Sequence, residues 1–355
     1  MLVKDSMFNI QRCEVSRISQ VNFDDLPFGR VFSDHMFIME YADGKWSQGS
    51  IVPFQNISLN PASSVIHYGQ SIFEGIKAFR NVDGRISIFR PEENIKRFNK
   101  SAERMCMPQL DKNVFLEALK QLIDVDNKWV PESMEASLYI RPFMFSTDEY
   151  IGVKPSETYR FIIFTCPVGK YYAGDVKVKV ETHYARSVEG GTGFAKAAGN
   201  YAGALYPAKI AQEQGYHQLL WTDAVEHKYI EESGTMNVMF RTGNKIITPA
   251  LSETILNGVT RDSVLTLARD WGYEVEERRV SVEEIRQLLK DGKLDEAFGA
   301  GTAATIAPIC SIGFEDANVE LPPYSGWEFA PKAAQTLIDI RRGRTNDPFN
   351  WNTYI

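Results

Sequence analysis

Hydrophobic and polar positions change period several times along the chain, and each change marks an element. Early on, the β-rich runs Phe37–Tyr41 and Trp46–Val52 flank Asp43-Gly44, and Ala78–Asn81 and Ile86–Phe89 flank Asp83-Gly84. Asp-Gly between such runs predicts hairpins, because the favoured two-residue turn needs positive φ at both central positions. The period then lengthens: Ile95, Phe98, Ala102 and Met105 recur at helical spacing, as do Phe115, Leu119, Leu122 and Ile123. Strands are expected again at Ser137–Phe143 and Tyr159–Cys166.

A stretch with Pro167, Gly169 and Gly174 interrupts the pattern and predicts an interdomain linker at 167–176. Beyond it, the alternating Val176–Val180, the apolar Leu219-Leu220-Trp221 and Met236–Phe240 read as strands. Three helices announce their ends. Thr260 precedes an amphipathic run through Val264, Leu267, Ala268 and Trp271, closed by Gly272. Ser281 and Glu284 make a capping box before Ile285, Leu288 and Leu289, closed by Gly292. Pro331 opens a last helix through Leu337 and Ile338, closed by Gly343. No internal repeat is present. The expected architecture is mixed α/β: a smaller domain at 1–166 and a larger one at 177–355.

A length of 355 residues agrees with two domains. The net charge of −7, without a run of five basic residues, argues against a nucleic-acid or anionic-membrane surface. The four cysteines are scattered with no Cys-x-x-Cys pair, and the five histidines are dispersed, so neither a disulfide framework nor a metal site is expected. No apolar stretch approaches the ~20 residues of a membrane span. The N-terminal segment lacks an apolar signal core. A cytoplasmic protein is the expectation.

The chemistry concentrates in Gly190-Gly191-Thr192-Gly193-Phe194-Ala195-Lys196-Ala197-Ala198-Gly199-Asn200-Tyr201. A P-loop would need lysine directly after the last glycine and a hydroxyl after it; here Ala195 and Ala197 flank Lys196. The dinucleotide fingerprint fails too, because Lys196 occupies its third glycine position. A solvated surface lysine fits poorly with neighbours such as Phe194, Ala195, Ala197 and Tyr201. The remaining reading is an amine in apolar surroundings, where desolvation favours the neutral nucleophile that forms a Schiff base. Pyridoxal phosphate is the common carbonyl partner. It further requires an anion site, an acid for its ring nitrogen and a donor for its ring oxygen. Gly258-Val259-Thr260-Arg261-Asp262, running into a helix N-terminus, is one candidate anion site, and the turn Gly299–Ala304 is a second. Glu231 and Glu232 are the candidate acids, and strand alternation points one of them inward.

These segments, in this order, resemble the branched-chain amino-acid aminotransferases, the fold-type-IV pyridoxal-phosphate enzymes. The resemblance runs through Pro53-Phe54-Gln55-Asn56, the stretch from His67 to Arg80, Ser137–Pro142, the lysine segment, Glu232–Asn237, Gly258–Arg261 and Gly301-Thr302-Ala303. It implies that Lys196 carries pyridoxal 5'-phosphate and shuttles the substrate's α-proton. Glu232 pairs with the ring nitrogen, with Thr235 in the turn beside the ring, and Tyr201 bonds the ring oxygen. Arg97, Val259, Thr260 and Thr302 hold the phosphate, and Arg186 is a further cofactor-site residue. On the substrate side it implies aromatic walls at Tyr68, Phe73, Tyr139 and Tyr171, and a cation for glutamate's second carboxylate at Arg141. Thr302 and Ala303 offer N–H groups to the α-carboxylate, and a partner-subunit loop carries Ile151 and Val153. The implied activity is ping-pong transamination between leucine, isoleucine or valine and 2-oxoglutarate by a homodimer. A D-amino-acid aminotransferase or aminodeoxychorismate lyase is the alternative within the fold type. Relatives with Cys-x-x-Cys after the Gly-Thr-Ala turn differ here, where Ala304 and Ala307 stand.

Overall fold

In the computed structural model, which describes residues 7–169 and 174–355, both Asp-Gly hairpins form. Asp43 and Gly44 take φ of 53° and 74°, as a two-residue turn matched to strand twist requires. Contacts divide the chain into two units. The first comprises residues 1–171, 195–199 and 339–355, and the second 172–194 and 200–338.

Among the described residues of the first unit, ten strands form one sheet, nearly all antiparallel. Its centre is the long pair Ser137–Ser146 and Tyr159–Val168, with His35–Ala42 beside the second. Alternation decides what each face carries. Phe37, Met39, Leu138, Ile140, Phe161 and Ile163 bury against helices Pro91–Arg104 and Lys112–Val125, through Phe98, Ala102, Phe115, Leu119 and Leu122. The opposite face carries Met36, Ile162, Phe143 and Phe164 in one apolar cluster, and Tyr139 and Cys166 in another. The run Phe161-Ile162-Ile163-Phe164 is therefore apolar without a break because both faces are covered. The sequence reading places all of 177–355 in one domain. The structure instead returns 195–199, with Lys196, and 339–355 to the first unit, where Asn352–Tyr354 pairs with Ile86–Phe89. That pairing joins positions far apart in sequence, so no local pattern announces it. The expected linker at 167–176 lies partly outside the described residues.

In the second unit, six strands close on themselves: Met236–Thr242, Glu296–Gly301, Thr305–Gly313, Val176–Val180, Gln218–Thr222 and Tyr229–Ser233, which pairs back to the first. Closure leaves these strands no open edge. Lys245–Pro249 and Glu274–Arg278 extend the sheet outside the ring. Three local expectations shift. The helix Val259–Asp270 takes Gly258, in extended conformation, as its N-cap, so Thr260 lies inside the first turn rather than capping it. The turn expected at Gly299–Ala304 narrows, because Glu296–Gly301 is strand and the chain reverses after it. The capping box at Ser281 is half made: Ser281 Oγ accepts from Glu284 N–H at 3.0 Å, but the Glu284 carboxylate turns to Arg278.

Candidate active site

In the first unit, Lys196 is fixed through its backbone. Its N–H donates to Ser101 Oγ at 2.9 Å, and its carbonyl accepts from Phe73 N–H at 3.1 Å. Ala197, buried beside it, forms an isolated antiparallel bridge with Ile72. A lysine chain leaving such an anchor starts from one defined position, and Nζ lies 4.8 Å from the Phe73 ring centroid. The Arg141 Cζ lies 4.7 Å from the same centroid, so both side chains approach one aromatic ring at cation–π distance.

Arg141 sits there because the strand Ser137–Ser146 alternates. Leu138 and Ile140 join the helix-side core, which leaves Tyr139 and Arg141 together on the other face. Arg141 Nη2 donates to the Tyr139 hydroxyl at 3.0 Å, while its Nε is buried with no hydrogen-bond partner among the described residues. Tyr139 itself is buried, packed edge-on against Phe28 at 5.2 Å. Tyr68, Ile151 and Val153 are exposed, and Tyr171 lies outside the described residues.

Helix Pro91–Arg104 presents a polar row beside its apolar stripe. Asn94, Arg97 and Ser101 are spaced i, i+3, i+7, next to the core residues Ile95, Phe98 and Ala102. Arg97 grips Glu74 with both ends of its fork, Nε at 2.7 Å and Nη2 at 2.8 Å, and Asn94 Nδ2 adds a third bond at 2.7 Å. Burial by itself would push the Glu74 carboxyl up. The charge and hydrogen bonds of Arg97, the charge of Lys196 and the Asn94 bond outweigh it and hold Glu74 below the usual carboxylate range. Sequence reasoning assigned no role to Glu74, Asn94 or Ser101. The polar i, i+3, i+7 row was the available signal.

In the second unit the strand Tyr229–Ser233 delivers both glutamates to buried positions, where alternation had predicted only one. The reason is the segment 252–256, which packs over them. Leu256 N–H donates to Glu232 Oε1 at 2.7 Å, and Thr254 Oγ1 donates to Glu231 Oε1 at 2.5 Å. Arg186 Nε pairs with Glu232 Oε2 at 3.4 Å, and its Nη2 donates to the carbonyls of Gly193 and Thr254. Burial pushes Glu231 above the usual carboxylate range, against the opposing Thr254 bond and the Arg186 charge. Asn237, opposite Glu232 across the hairpin, donates to the Leu256 carbonyl at 2.9 Å. It thereby fixes the chain that enters Gly258-Val259-Thr260, where Val259 and Thr260 are buried at a helix N-terminus. Tyr201, Thr302 and Ala303 are half-buried and Thr235 is exposed. Each unit thus groups part of the expected site: Lys196, Phe73, Tyr139, Arg141 and Arg97 in the first, and Glu232, Arg186, Val259 and Thr260 in the second.

Comparisons with known proteins give the family to which the chain belongs. The family described as amino-transferase class IV matches residues 71–312. Branched-chain-amino-acid aminotransferase 2 of Bacillus subtilis is 45% identical over 336 residues, covering 94% of this chain and 93% of that protein. Branched-chain-amino-acid transaminase 1 of the same organism is 46% identical, covering 93% and 94%. Among solved structures, the branched-chain amino acid aminotransferase of Escherichia coli superposes with a TM-score of 0.73 at 26% identity, covering 90% of this chain and 98% of that one. The T.th. enzyme, complexed with N-(5'-phosphopyridoxyl)-L-glutamate, gives 0.70 at 27%, covering 89% and 98%. The chain belongs to the class IV aminotransferases, with their mixed α/β fold of type IV. Within that class it is a member of the branched-chain-amino-acid aminotransferases, and so an enzyme of transaminase type.

Proposed function

We propose that this enzyme moves the α-amino group of L-leucine, L-isoleucine or L-valine to 2-oxoglutarate by a ping-pong reaction dependent on pyridoxal 5'-phosphate. The observation that carries the reading is the Phe73 ring approached by both Lys196 and Arg141, with Tyr139 on the arginine. Such a surface offers apolar area to an aliphatic side chain and a cation to the second carboxylate of glutamate. The buried Arg141 Nε without a partner among the described residues fits that second role, since a carboxylate accepts from two guanidinium N–H groups.

The residues fit the cofactor by donor chemistry: a lysine anchored at its backbone, a buried glutamate held by an arginine and a backbone N–H, a helix N-terminus and a second arginine. When bound, pyridoxal phosphate supplies an electron-withdrawing ring that takes up the electron pair released at the substrate α-carbon. Lys196 would hold the cofactor and move the α-proton at Nζ. Glu232 would keep the ring nitrogen protonated through its negative charge, and Arg186 and Leu256 N–H fix the orientation of its carboxylate. Tyr201 would bond the ring oxygen, with Thr235 beside the ring, and Arg97, Val259, Thr260 and Thr302 would serve the phosphate. Thr302 and Ala303 would offer N–H groups to the substrate α-carboxylate, and Tyr68 would add to the apolar walls, a role the resemblance also implies for Tyr171, outside the described residues. The conjugate carried by the T.th. relative joins a phosphopyridoxyl group to glutamate, which supports both cofactor and co-substrate.

A homodimer belongs to this reading. Ile151 and Val153 are 61% and 90% exposed, apolar side chains that a second copy would cover. A cytoplasmic location completes it: among the described residues no helix is long and apolar enough to cross a membrane, and the cysteines are free. The test is direct. Purified protein should be yellow, Lys196→Ala should lose that absorption, and L-leucine with 2-oxoglutarate should react where D-alanine does not. Colourless protein that added pyridoxal phosphate leaves colourless would refute the proposal.

A further inference from the structure

Glu74 exposes none of its surface, yet its carboxylate is ionised and meets several donors. Arg97 binds it through Nε and Nη2, Asn94 through Nδ2, and the N–H of Gly75 lies 3.1 Å from Oε2. A buried ion pair of this kind is a weak source of stability, because desolvating two charges offsets most of their attraction. What a two-pronged carboxylate does supply is orientation, since it fixes the plane of the guanidinium as well as its position. The same helix anchors the lysine. Ser101 donates to the Arg97 carbonyl at 3.0 Å and accepts from Lys196 N–H at 2.9 Å. Phe73, the residue before Glu74, donates its own N–H to the Lys196 carbonyl. Lys196 and Arg97 are therefore tied to one frame, and Glu74 is its charged centre.

We propose that Glu74 is a positioning residue for cofactor binding, acting through Arg97 to present a pre-oriented guanidinium to the cofactor's phosphate. The proposal rests on the reading of Arg97 as a phosphate ligand given above. It separates Glu74 from a merely structural acid by one property: its effect depends on the ligand's phosphate.

The experiment titrates apoprotein with pyridoxal phosphate and with pyridoxal, which has the same aldehyde and ring but no phosphate, following binding by absorbance. Wild type, Glu74→Gln, Arg97→Ala and the double variant are compared, each with its melting temperature. Glu74→Gln should weaken pyridoxal phosphate about 10–100-fold, the scale of a lost charged hydrogen bond, and pyridoxal by less than about threefold. The double variant should bind no more weakly than Arg97→Ala. Equal losses for both ligands, additive losses in the double variant, or an unchanged Glu74→Gln would each overturn the proposal. Wild type that binds neither ligand would overturn the functional reading itself, and this proposal with it. Should Glu74→Gln not fold, Asn94→Ala removes one donor and leaves both charges. It should then show a few-fold loss confined to pyridoxal phosphate, and absence of that selectivity counts against the proposal.

Discussion

Replacing Gly193 by alanine adds one methyl group to the lysine segment, and the structure says what that methyl meets. An ideal Cβ there lies 2.6 Å from Ser187 Cβ and 2.7 Å from both the Cα and the carbonyl oxygen of Thr254. Two of these three atoms are backbone, so no side-chain rotation relieves the clash and the two strands of chain must separate. Overpacking of this sort costs about 1–3 kcal/mol, or a fall of about 2–10 °C in melting temperature. The separation also reaches the site: Arg186 Nη2 bridges the carbonyls of Gly193 and Thr254, while its Nε pairs with Glu232. Activity should therefore fall together with stability. Gly199, in the same segment, is the control. It lies in the helix Ala198–Gly203, a Cβ there has nothing within 4 Å among the described residues, and alanine should gain about 0.5–1 kcal/mol from reduced chain entropy. Thermal unfolding of both variants, with transaminase assays, compares them directly. A Gly193→Ala protein as stable and active as Gly199→Ala would refute the close-packing argument.

Other outcomes follow from charge and geometry. Burial and the nearby Arg341 and Arg342 bring Lys77 down to about 7, so between there and about 10.4 the unfolded chain binds the extra proton and this residue's stability contribution grows with pH. Lys77→Met should abolish that slope in denaturation curves taken across the range, and an unchanged slope counts against it. Glu74 is shifted the other way, so its contribution is present above about pH 4.3 and is lost as pH falls through its lower folded value. The stability gap between wild type and Glu74→Gln should therefore close only in acid; a gap constant down to about pH 2 refutes this. Arg141→Leu should raise KM for 2-oxoglutarate about 10–100-fold and leave leucine's KM within about threefold. Equal effects on both substrates would remove Arg141 from the carboxylate role.

The local elements were legible where the signal was short-range. Asp43-Gly44, the helix over Ile95–Ala102 and the strand Val176–Val180 follow from turn chemistry and hydrophobic period alone. The strands Lys245–Pro249 and Glu274–Arg278 were not picked out, nor was the full span Glu296–Gly301. Their pairings are made across the sheet, and Gly299-Ala300-Gly301 carries turn residues inside a strand. The capping of the helix at 259 moved for a related reason, since Thr260 is held inward by tertiary packing rather than left at the helix end.

The sequence by itself determined which chemistry is available: a lysine among apolar neighbours, a pair of glutamates, a glycine-led helix start, and an arginine on a strand of aromatic residues. Those are properties of residue type and spacing; the family itself rests on the resemblance of the motifs in their order and on the comparisons with known proteins. Only the tertiary structure decided that Glu74 is the buried partner of Arg97, that both Glu231 and Glu232 are covered, and that Gly193 is packed too closely for a side chain where Gly199 is not. Gly193 and Gly199 look alike in one dimension. They differ because Thr254, far along the chain, packs against one, while no described residue comes within 4 Å of a Cβ on the other, and such contacts exist only once the chain has folded.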